Sequence, residues 1–159
     1  MMENPPDRQL IEEYKRWQRT NINNIVTMLR SIVNLHGEGV LKIASAAYSS
    51  LMRQRWRKIA EESNDRSIEA LFGRLWEGSK DLIQFEVSRR TVDSLALKVN
   101  SCFWADEFRR AGGADIGYEL CCMADFHIVE VFNPEISYRR MKTLMKGDDC
   151  CDHLYMIYR

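Results

Sequence analysis

The sequence predicts an α+β fold in which a helical N-terminal half packs on a small antiparallel sheet formed by the C-terminal half. Through the first half of the 159 residues, apolar side chains recur with the 3.6-residue period of a helix. After residue 80 the period changes to two, which is typical of strands. No linker, repeat or low-complexity segment divides the sequence. We therefore expect one domain over residues 1–159, with a helical part at 1–80 and a sheet part at 81–159.

Three helices are predicted in the first half. The first begins after a Pro-Pro pair with Asp7 as its N-cap, and it ends at Gly37. Its stripe comprises Ile22, Ile25, Val26, Leu29 and Val33. The stripe of the second helix comprises Leu41, Ala44, Tyr48, Leu51, Met52, Arg55 and Ile59. A shorter third helix is expected over residues 67–78, with Ser67 as its N-cap.

A β-hairpin is predicted next, in the segment LIQFEVSRRTVDSLALKVN. Apolar and polar residues alternate along it, as in two half-buried strands. The alternating apolar positions are Ile83, Phe85, Val87, Leu95, Leu97 and Val99. The turn is expected at residues 90–93.

Two more helices and two more strands complete the chain. CFWADEFRRAG reads as a short helix ended by Gly112-Gly113, and ADIGYELCCMADFHIVEVF as a helix that stops before Pro134. Two strands are predicted on either side of a turn, in the segments EISYRRMKTLM and DHLYMIY. Gly147 lies in that turn, where a positive φ angle is expected.

The charge balance excludes several classes of partner. Lys+Arg and Asp+Glu each number 23, so the chain has no net field that would attract nucleic acid or an anionic membrane. One basic cluster, RQRWRK, is interpreted as a solvated helix face. The N-terminal residues show no secretory signal, and no apolar run approaches the roughly 20 residues of a membrane span. We therefore expect a cytoplasmic protein.

All five cysteines lie in three short segments of the second half. An odd number of thiols in a reducing compartment does not form a disulfide framework. They are buried apolar residues, metal ligands or reactive thiols. Cys102 is expected in the first turn of its helix, with Asn100 or Ser101 as N-cap, where the helix dipole would lower its pKa. The alternative is a small buried residue at a helix start.

The other two segments hold paired cysteines. On a helix, Cys121 and Cys122 lie four and three residues before Asp125, so either thiol can face the carboxylate. Asp125 could act as a general base or hold a cationic group, unless it is solvated and the cysteines face the core. The remaining pair enters a strand, so Cys150 and Cys151 point to opposite faces. The face of Cys151 also carries His153, Tyr155 and Ile157.

A zinc site is a further alternative for these thiols. It would combine Cys102, one cysteine from each pair and His153. Adjacent cysteines chelate poorly, however, because structural zinc ligands are usually spaced C-x₂₋₄-C. We expect no metal and no organic cofactor.

The segment NSCFWADEFRRAGGADIGYELCCMADFHIVEVFNPEISYRRMKTLMKGDDCCDHLY resembles the L-2-amino-thiazoline-4-carboxylic acid hydrolase family. Members of that family show a Cys at a strand end, Cys-x-x-Asp, an aromatic-Asn-Pro, a Thr strand, a Gly turn and Cys-Asp. In order, these features fall on Cys102, Cys122, Asp125, Phe132-Asn133-Pro134, Thr143, Gly147 and Cys151-Asp152. Cys121 and Cys150 are additional, and His153 replaces a residue that is more often aromatic.

The resemblance implies hydrolytic ring opening of a small cyclic amidine, 2-aminothiazoline-4-carboxylate, to a carbamoyl-cysteine. Cys102 or Cys122 could attack the amidine carbon, Asp125 could pair with the amidine or act as base, and Arg139 or Arg140 could hold the substrate carboxylate. One of these two arginines should face away on a strand. The expected catalytic residues are Cys102, Cys122, Asp125 and Cys151. The expected substrate-binding residues are Asn133, Arg139, Arg140 and His153.

Two other functions and one assembly stay open at this stage. The chain could be a non-catalytic small-molecule-binding or sensor domain, since its final hairpin also resembles 4-vinyl reductase-type domains, or it could be a cysteine-ligated metal protein. Trp17, Trp56 and Trp76 lie on or near the apolar stripes of the front helices. They fit core packing or the face of a homodimer.

Overall fold

The computed structural model describes residues 8–158 and has the α+β architecture that the sequence predicts. The helices are α1 Arg8–His36, α2 Gly39–Glu61, α3 Ile68–Leu75, α4 Phe103–Arg110, α5 Ala114–Gly117 and α6 Ala124–Phe132. The strands are β1 Ile83–Thr91, β2 Ser94–Cys102, β3 Ile136–Arg140 and β4 Cys151–Ile157. A π-helical turn spans Tyr118–Cys122, and 3₁₀ turns span Glu77–Ser79 and Leu144–Lys146.

The helices of the N-terminal half lie where the apolar stripes and the cap residues of the sequence predict them. The buried side chains of α1 are Ile22, Val26, Leu29 and Val33. Gly37 follows the helix with a φ angle of 84°, which glycine adopts without strain. The hydroxyl of Ser67 accepts a hydrogen bond of 3.1 Å from the amide of Ala70, so the predicted cap of α3 is confirmed. The predicted cap Asp7 lies outside the described residues.

The four strands form one antiparallel sheet in the order β1-β2-β4-β3. The turn between β1 and β2 falls at residues 92–93, within the predicted interval. In the register, Val99 lies opposite Cys151, and His153 lies between Leu97 on one neighbour and Arg140 on the other. The inward faces of three strands therefore meet around His153.

The third predicted strand is shorter than expected, and the segment EISYRRMKTLM leaves the sheet after Arg140. One carboxylate oxygen of Asp152 accepts hydrogen bonds from the amides of Met141 and Lys142, at 2.8 and 2.5 Å. Asp148 accepts another from the amide of Thr143 at 2.7 Å. These carboxylates replace the strand ladder and turn the backbone. Gly147 has a φ angle of 95°, as predicted.

The predicted helix at 114–132 is interrupted by the π turn. The amide of Met123 bonds to the carbonyl of Tyr118 at 2.9 Å, five residues back instead of four. The wider turn changes the angular position of every side chain that precedes α6. Cys121 and Cys122 lie in this turn, so its geometry decides where their sulfur atoms point.

Two apolar clusters build the interior. One lies between the sheet and the helices α2, α3 and α6, and the other lies between α1 and the α4–α5 segment. Cys102 packs against both clusters. Among residues 8–158, no helix combines the length and apolarity that a membrane span requires.

Candidate active site

A cavity of about 430 Å³ lies where the two apolar clusters meet. That volume is within the range of roughly 300–1,000 Å³ found for small-molecule sites. The chain brings distant segments together here, because β2, the π turn, α6, β3 and β4 each contribute a polar side chain. The thiol, carboxyl, guanidinium and imidazole side chains that line it are those of Cys102, Cys121, Cys122, Asp125, Arg140, Cys151 and His153.

Two of the thiols lie against one hydroxyl group. The Oγ1 atom of Thr143 is 3.7 Å from the sulfur of Cys122 and 3.8 Å from the sulfur of Cys151. The amide of Leu144 donates a hydrogen bond of 3.3 Å to the Cys151 sulfur. Thr143 itself is buried, and its hydroxyl caps the 3₁₀ turn. The turn between β3 and β4 therefore positions both sulfur atoms.

Cys102 lies one position earlier than the sequence analysis expected. It ends β2 and is itself the N-cap of α4, so Asn100 and Ser101 belong to the strand and not to a cap. The thiol makes no full capping hydrogen bond, although the amides of Ala105 and Trp104 favour its thiolate form. Burial is the larger effect and raises the pKa of Cys102 to about 11.

The neighbouring thiols also ionise with difficulty. Burial raises the pKa of Cys122 to about 12, against the opposing positive charge of Arg140. Burial also raises the pKa of Cys121 well above its usual value. These directions are opposite to the lowered pKa expected for a thiol at a helix start. These thiols are therefore protonated at neutral pH, and formation of a thiolate needs a neighbouring base or a bound cation.

Asp125 and Arg140 form an ion pair inside the cavity. The Nη1 atom of Arg140 donates to Oδ2 of Asp125 at 2.6 Å, and Nη2 donates to the carbonyl of Cys122 at 2.9 Å. Only 4% of the Arg140 side chain is exposed, whereas 23% of the Asp125 side chain remains open, and Asp125 lines the cavity. Enclosure away from bulk solvent raises the pKa of Asp125 to about 6, although the charge of Arg140 lowers it.

Arg140 also connects this ion pair to His153 through Tyr138. Nη1 of Arg140 donates to the hydroxyl oxygen of Tyr138 at 3.3 Å, and that hydroxyl lies 2.8 Å from Nδ1 of His153. Because the Tyr138 oxygen accepts from Arg140, its O–H donates to Nδ1, and the ring proton of His153 resides on Nε2. Burial, aided by the charge of Arg140, lowers the pKa of His153 to about 3, so the ring is neutral.

Tyr138 was missed by the sequence analysis. A signal for it existed, because Tyr138 and Arg140 are two residues apart on a strand and therefore share a face. Burial raises the pKa of Tyr138 well above its usual value, so its O–H remains a donor. The register places Arg140 opposite His153 and Tyr138 opposite Tyr155, which aligns the chain of hydrogen bonds across β3 and β4.

Two of the expected substrate-binding residues lie outside the cavity. Asn133 ends α6, where its side chain donates to the carbonyl of Arg66 and accepts from the amide of Glu135, each at 2.9 Å. Arg139 is exposed on the face of β3 opposite to Arg140. The sequence analysis expected one of these two arginines to face away, and it is Arg139. Cys150 likewise does not line the cavity.

Metal ligation needs a tighter cluster of donors than this cavity provides. Within residues 8–158, no three His, Cys, Asp or Glu side chains converge closely enough to hold a metal ion. The cavity combines thiols, a carboxylate–guanidinium pair and a neutral imidazole. Such a set can move protons and can offer a sulfur nucleophile to a bound molecule.

The family resemblance extends over most of the chain. The model of the L-2-amino-thiazoline-4-carboxylic acid hydrolase family matches residues 18–155. The chain belongs to this family. The matched region runs from α1 into β4 and contains the four cysteines, Asp125, Arg140 and His153 of the cavity. The family name indicates hydrolysis of L-2-amino-thiazoline-4-carboxylic acid, which is a small-molecule substrate. No curated protein matches the chain closely enough to be a relative.

Proposed function

We propose that this member of the L-2-amino-thiazoline-4-carboxylic acid hydrolase family opens a small cyclic amidine in the thiol-lined cavity. One observation carries the proposal: Cys102, Cys122 and Cys151 come from distant segments and line a single cavity with Asp125. Thiols that served only as small apolar residues would not be expected to line a cavity together with a half-buried carboxylate.

The proposed reaction consumes one water molecule. A sulfur nucleophile adds to the amidine carbon of the 2-aminothiazoline, the ring C–S bond breaks, and the ring sulfur leaves as a thiol after taking a proton. Water then attacks the enzyme-bound carbon and expels the enzyme thiolate. The product is a carbamoyl aminothiol, which is a carbamoyl-cysteine when the ring carries the 4-carboxylate. The thiolate recovers its proton, so the enzyme is unchanged.

Asp125 has the central acid–base role in this scheme. Its carboxylate pairs with the cationic amidine and takes the proton of the attacking thiol. A pKa of about 6 suits this exchange near neutral pH. Arg140 holds the carboxylate in place. Three of its N–H groups are already bonded to Asp125, Tyr138 and the Cys122 carbonyl, so at most two remain for a substrate.

Two thiols compete for the role of nucleophile. Cys102 lies at the N-terminus of α4, where the amides of Ala105 and Trp104 favour a thiolate. Cys122 lies beside Arg140, whose charge also favours a thiolate. Cys151, held by Thr143 and the Leu144 amide, is the third thiol of the proposed site, and His153 would offer its Nε2–H to the substrate.

Single substitutions test the proposal and separate the two thiols. We expect Cys102→Ser, Cys122→Ser and Asp125→Asn to be folded by circular dichroism. Product analysis should show turnover of 2-aminothiazoline reduced about 10³-fold or more for Asp125→Asn and for whichever cysteine is the nucleophile. Cys150→Ser is the matched control, because Cys150 precedes β4 and does not line the cavity. Turnover that survives in all three variants would exclude the scheme.

A binding or sensor domain is the second candidate, and the raised thiol pKa values favour it. Thiols that remain protonated line a site without reacting. That candidate predicts a ligand-dependent rise in melting temperature with no product formed. Both candidates place the protein in the cytoplasm with reduced thiols, and neither requires a metal or an organic cofactor.

A further inference from the structure

Most of the cavity wall is apolar, and much of it comes from helices of both apolar clusters. α1 contributes Ile22 and Ile25, α2 contributes Met52, and α4 contributes Trp104. Trp76 adds a further aromatic surface next to the ring of His153, with 4.6 Å between ring centroids. An apolar wall of this extent contributes to the free energy of binding only where apolar atoms of a ligand contact it.

The charged part of the cavity is already neutralised. Among the lining residues in the part of the chain that the structure describes, Asp125 is the one with a carboxyl group and Arg140 the one with a guanidinium group, and there is no lysine. They are bonded to each other, and Arg140 is 4% exposed. A substrate carboxylate would have to compete with Asp125 for that guanidinium, or lose its hydration against an apolar wall.

The size of the cavity points the same way. A volume of about 430 Å³ accommodates a drug-sized ligand. A five-membered ring with one carboxylate is much smaller than that and would leave much of the apolar wall without ligand contact. Unfilled apolar surface contributes no binding energy.

The ion pair, the apolar wall and the volume of the cavity favour the same kind of ligand. We infer that this chain acts on a cyclic amidine that carries an apolar ring substituent in place of the free carboxylate. The amidine lies against Asp125, and the substituent lies among Met52, Trp76 and Trp104. The inference rests on the proposed function for the ring-opening step, and it adds the class of substrate.

Three compounds test the inference: 2-aminothiazoline, its 4-carboxylate and its 4-phenyl derivative. We expect kcat/KM for the phenyl compound to exceed that for the unsubstituted ring by about tenfold or more, which is typical of added apolar contact in a pocket. The carboxylate should fall below the unsubstituted ring. Melting-temperature shifts at equal concentrations should follow the same order, and they report binding whether or not turnover occurs.

A charge placed in the wall should reverse the preference. Met52→Lys puts a cation into the cavity, so the ratio of kcat/KM for the phenyl compound to that for the carboxylate should fall at least about tenfold. Ile43→Lys is the matched control, because it makes the same change on the exposed side of α2, where Ile43 is 72% exposed. The control should keep the wild-type ratio.

The possible outcomes separate the two claims. If the carboxylate is bound and opened better than both other rings by wild-type protein, the substrate inference is overturned and the hydrolase proposal stands. If no ring is opened but the phenyl compound gives the largest melting-temperature shift, the ligand class is supported and the hydrolase proposal fails. Equal shifts for all three compounds would overturn the inference.

Discussion

At the scale of single residues, one carboxylate belongs to a network that links four polar residues of the site. Asp125 is paired with Arg140, which reaches Tyr138, and Tyr138 in turn fixes the tautomer of His153. The same guanidinium bonds the carbonyl of Cys122. A change at any of these positions should therefore be detected at the others, in protonation state or in orientation.

The raised pKa of Asp125 predicts the pH dependence of activity. Because the ionised carboxylate is the partner of the amidine, kcat/KM should rise with pH and level off above about pH 6. The profile is measured with a substrate whose ring substituent is uncharged, so that no carboxylate of the substrate titrates. A rate that does not change between about pH 5 and 7 would contradict this role for Asp125.

The same pKa predicts a change in stability. A carboxyl whose pKa is higher in the folded state than in the unfolded state favours folding while it is protonated. As the pH rises from about 4 to above 6, ionisation of Asp125 should lower the free energy of unfolding by at most about 3 kcal/mol. Urea titrations of wild type and Asp125→Asn should show a difference that changes across this interval. A constant difference would place the pKa of Asp125 near its ordinary value.

Tyr138 is predicted to position His153. Tyr138→Phe removes the O–H that donates to Nδ1, so the His153 ring should no longer be confined to the Nε2–H tautomer. We expect ¹⁵N chemical shifts of the ring to move toward a mixture of tautomers, and kcat/KM to fall about tenfold. Tyr158→Phe is the control, because Tyr158 is 73% exposed. An unchanged tautomer in Tyr138→Phe would refute the hydrogen-bond chain.

At the scale of elements, the sequence pattern predicted the positions of the strands and their inward faces better than the residues at which the strands end. The alternation at Leu95, Leu97 and Val99 fixed which face of β2 is inward, and all three side chains are buried. The end of β3 could not be predicted, because it depends on Asp152, a residue on the neighbouring strand whose carboxylate binds the amides of Met141 and Lys142.

Two features of the site depend on tertiary packing and were not predictable. The i, i+3 and i, i+4 spacing correctly indicated that thiols lie near Asp125, but nothing in the sequence marks the π turn that carries them. The predicted direction of the shift in the pKa of Cys102 was wrong, because two opposite effects compete at the start of a helix. The dipole was visible in the sequence, and the depth of burial was not.

The packing of the π turn can be tested at Gly117. A Cβ atom there would lie 2.5 Å from Cγ of Phe108 and 2.8 Å from Sδ of Met145. We expect Gly117→Ala to lower the free energy of unfolding by about 1–3 kcal/mol in urea titrations, and to reduce activity by displacing Cys121 and Cys122. Gly78→Ala meets no atom within 4 Å and should be nearly neutral. Equal stabilities of the two variants would show that the turn is loosely packed.

At the scale of the whole molecule, α1 serves both the interior and the surface. Its buried stripe packs on α4 and α5. Two ion pairs join the same elements, one between Arg19 and Glu107 and one between Arg30 and Asp115. Trp56 and Trp76 are core residues, but Trp17 is 59% exposed. A second, exposed apolar stripe lies on another face of α1 and comprises Leu10, Trp17, Met28 and Leu35.

This exposed stripe is the basis for the homodimer, which stays a prediction, as does the single domain over residues 1–159. We expect the wild type to be a dimer by light scattering coupled to gel filtration, and the variant Trp17→Glu to shift toward monomer because a charge is placed in the contact. Ile43→Glu, an equally exposed apolar position on α2, is the control. A wild type that is monomeric at every concentration would disprove the prediction.

The central claim is that three sulfur atoms share one ligand-accessible cavity, and its most direct test is protection of the thiols from alkylation. A small uncharged thiol reagent is applied to the wild-type protein with and without 4-phenyl-2-aminothiazoline, which is kept in saturating excess throughout, and each site is quantified by mass spectrometry. The account predicts that Cys102, Cys122 and Cys151 are protected together while the rate at Cys150 is unchanged. Protection of none of the three, or of only one, would contradict it.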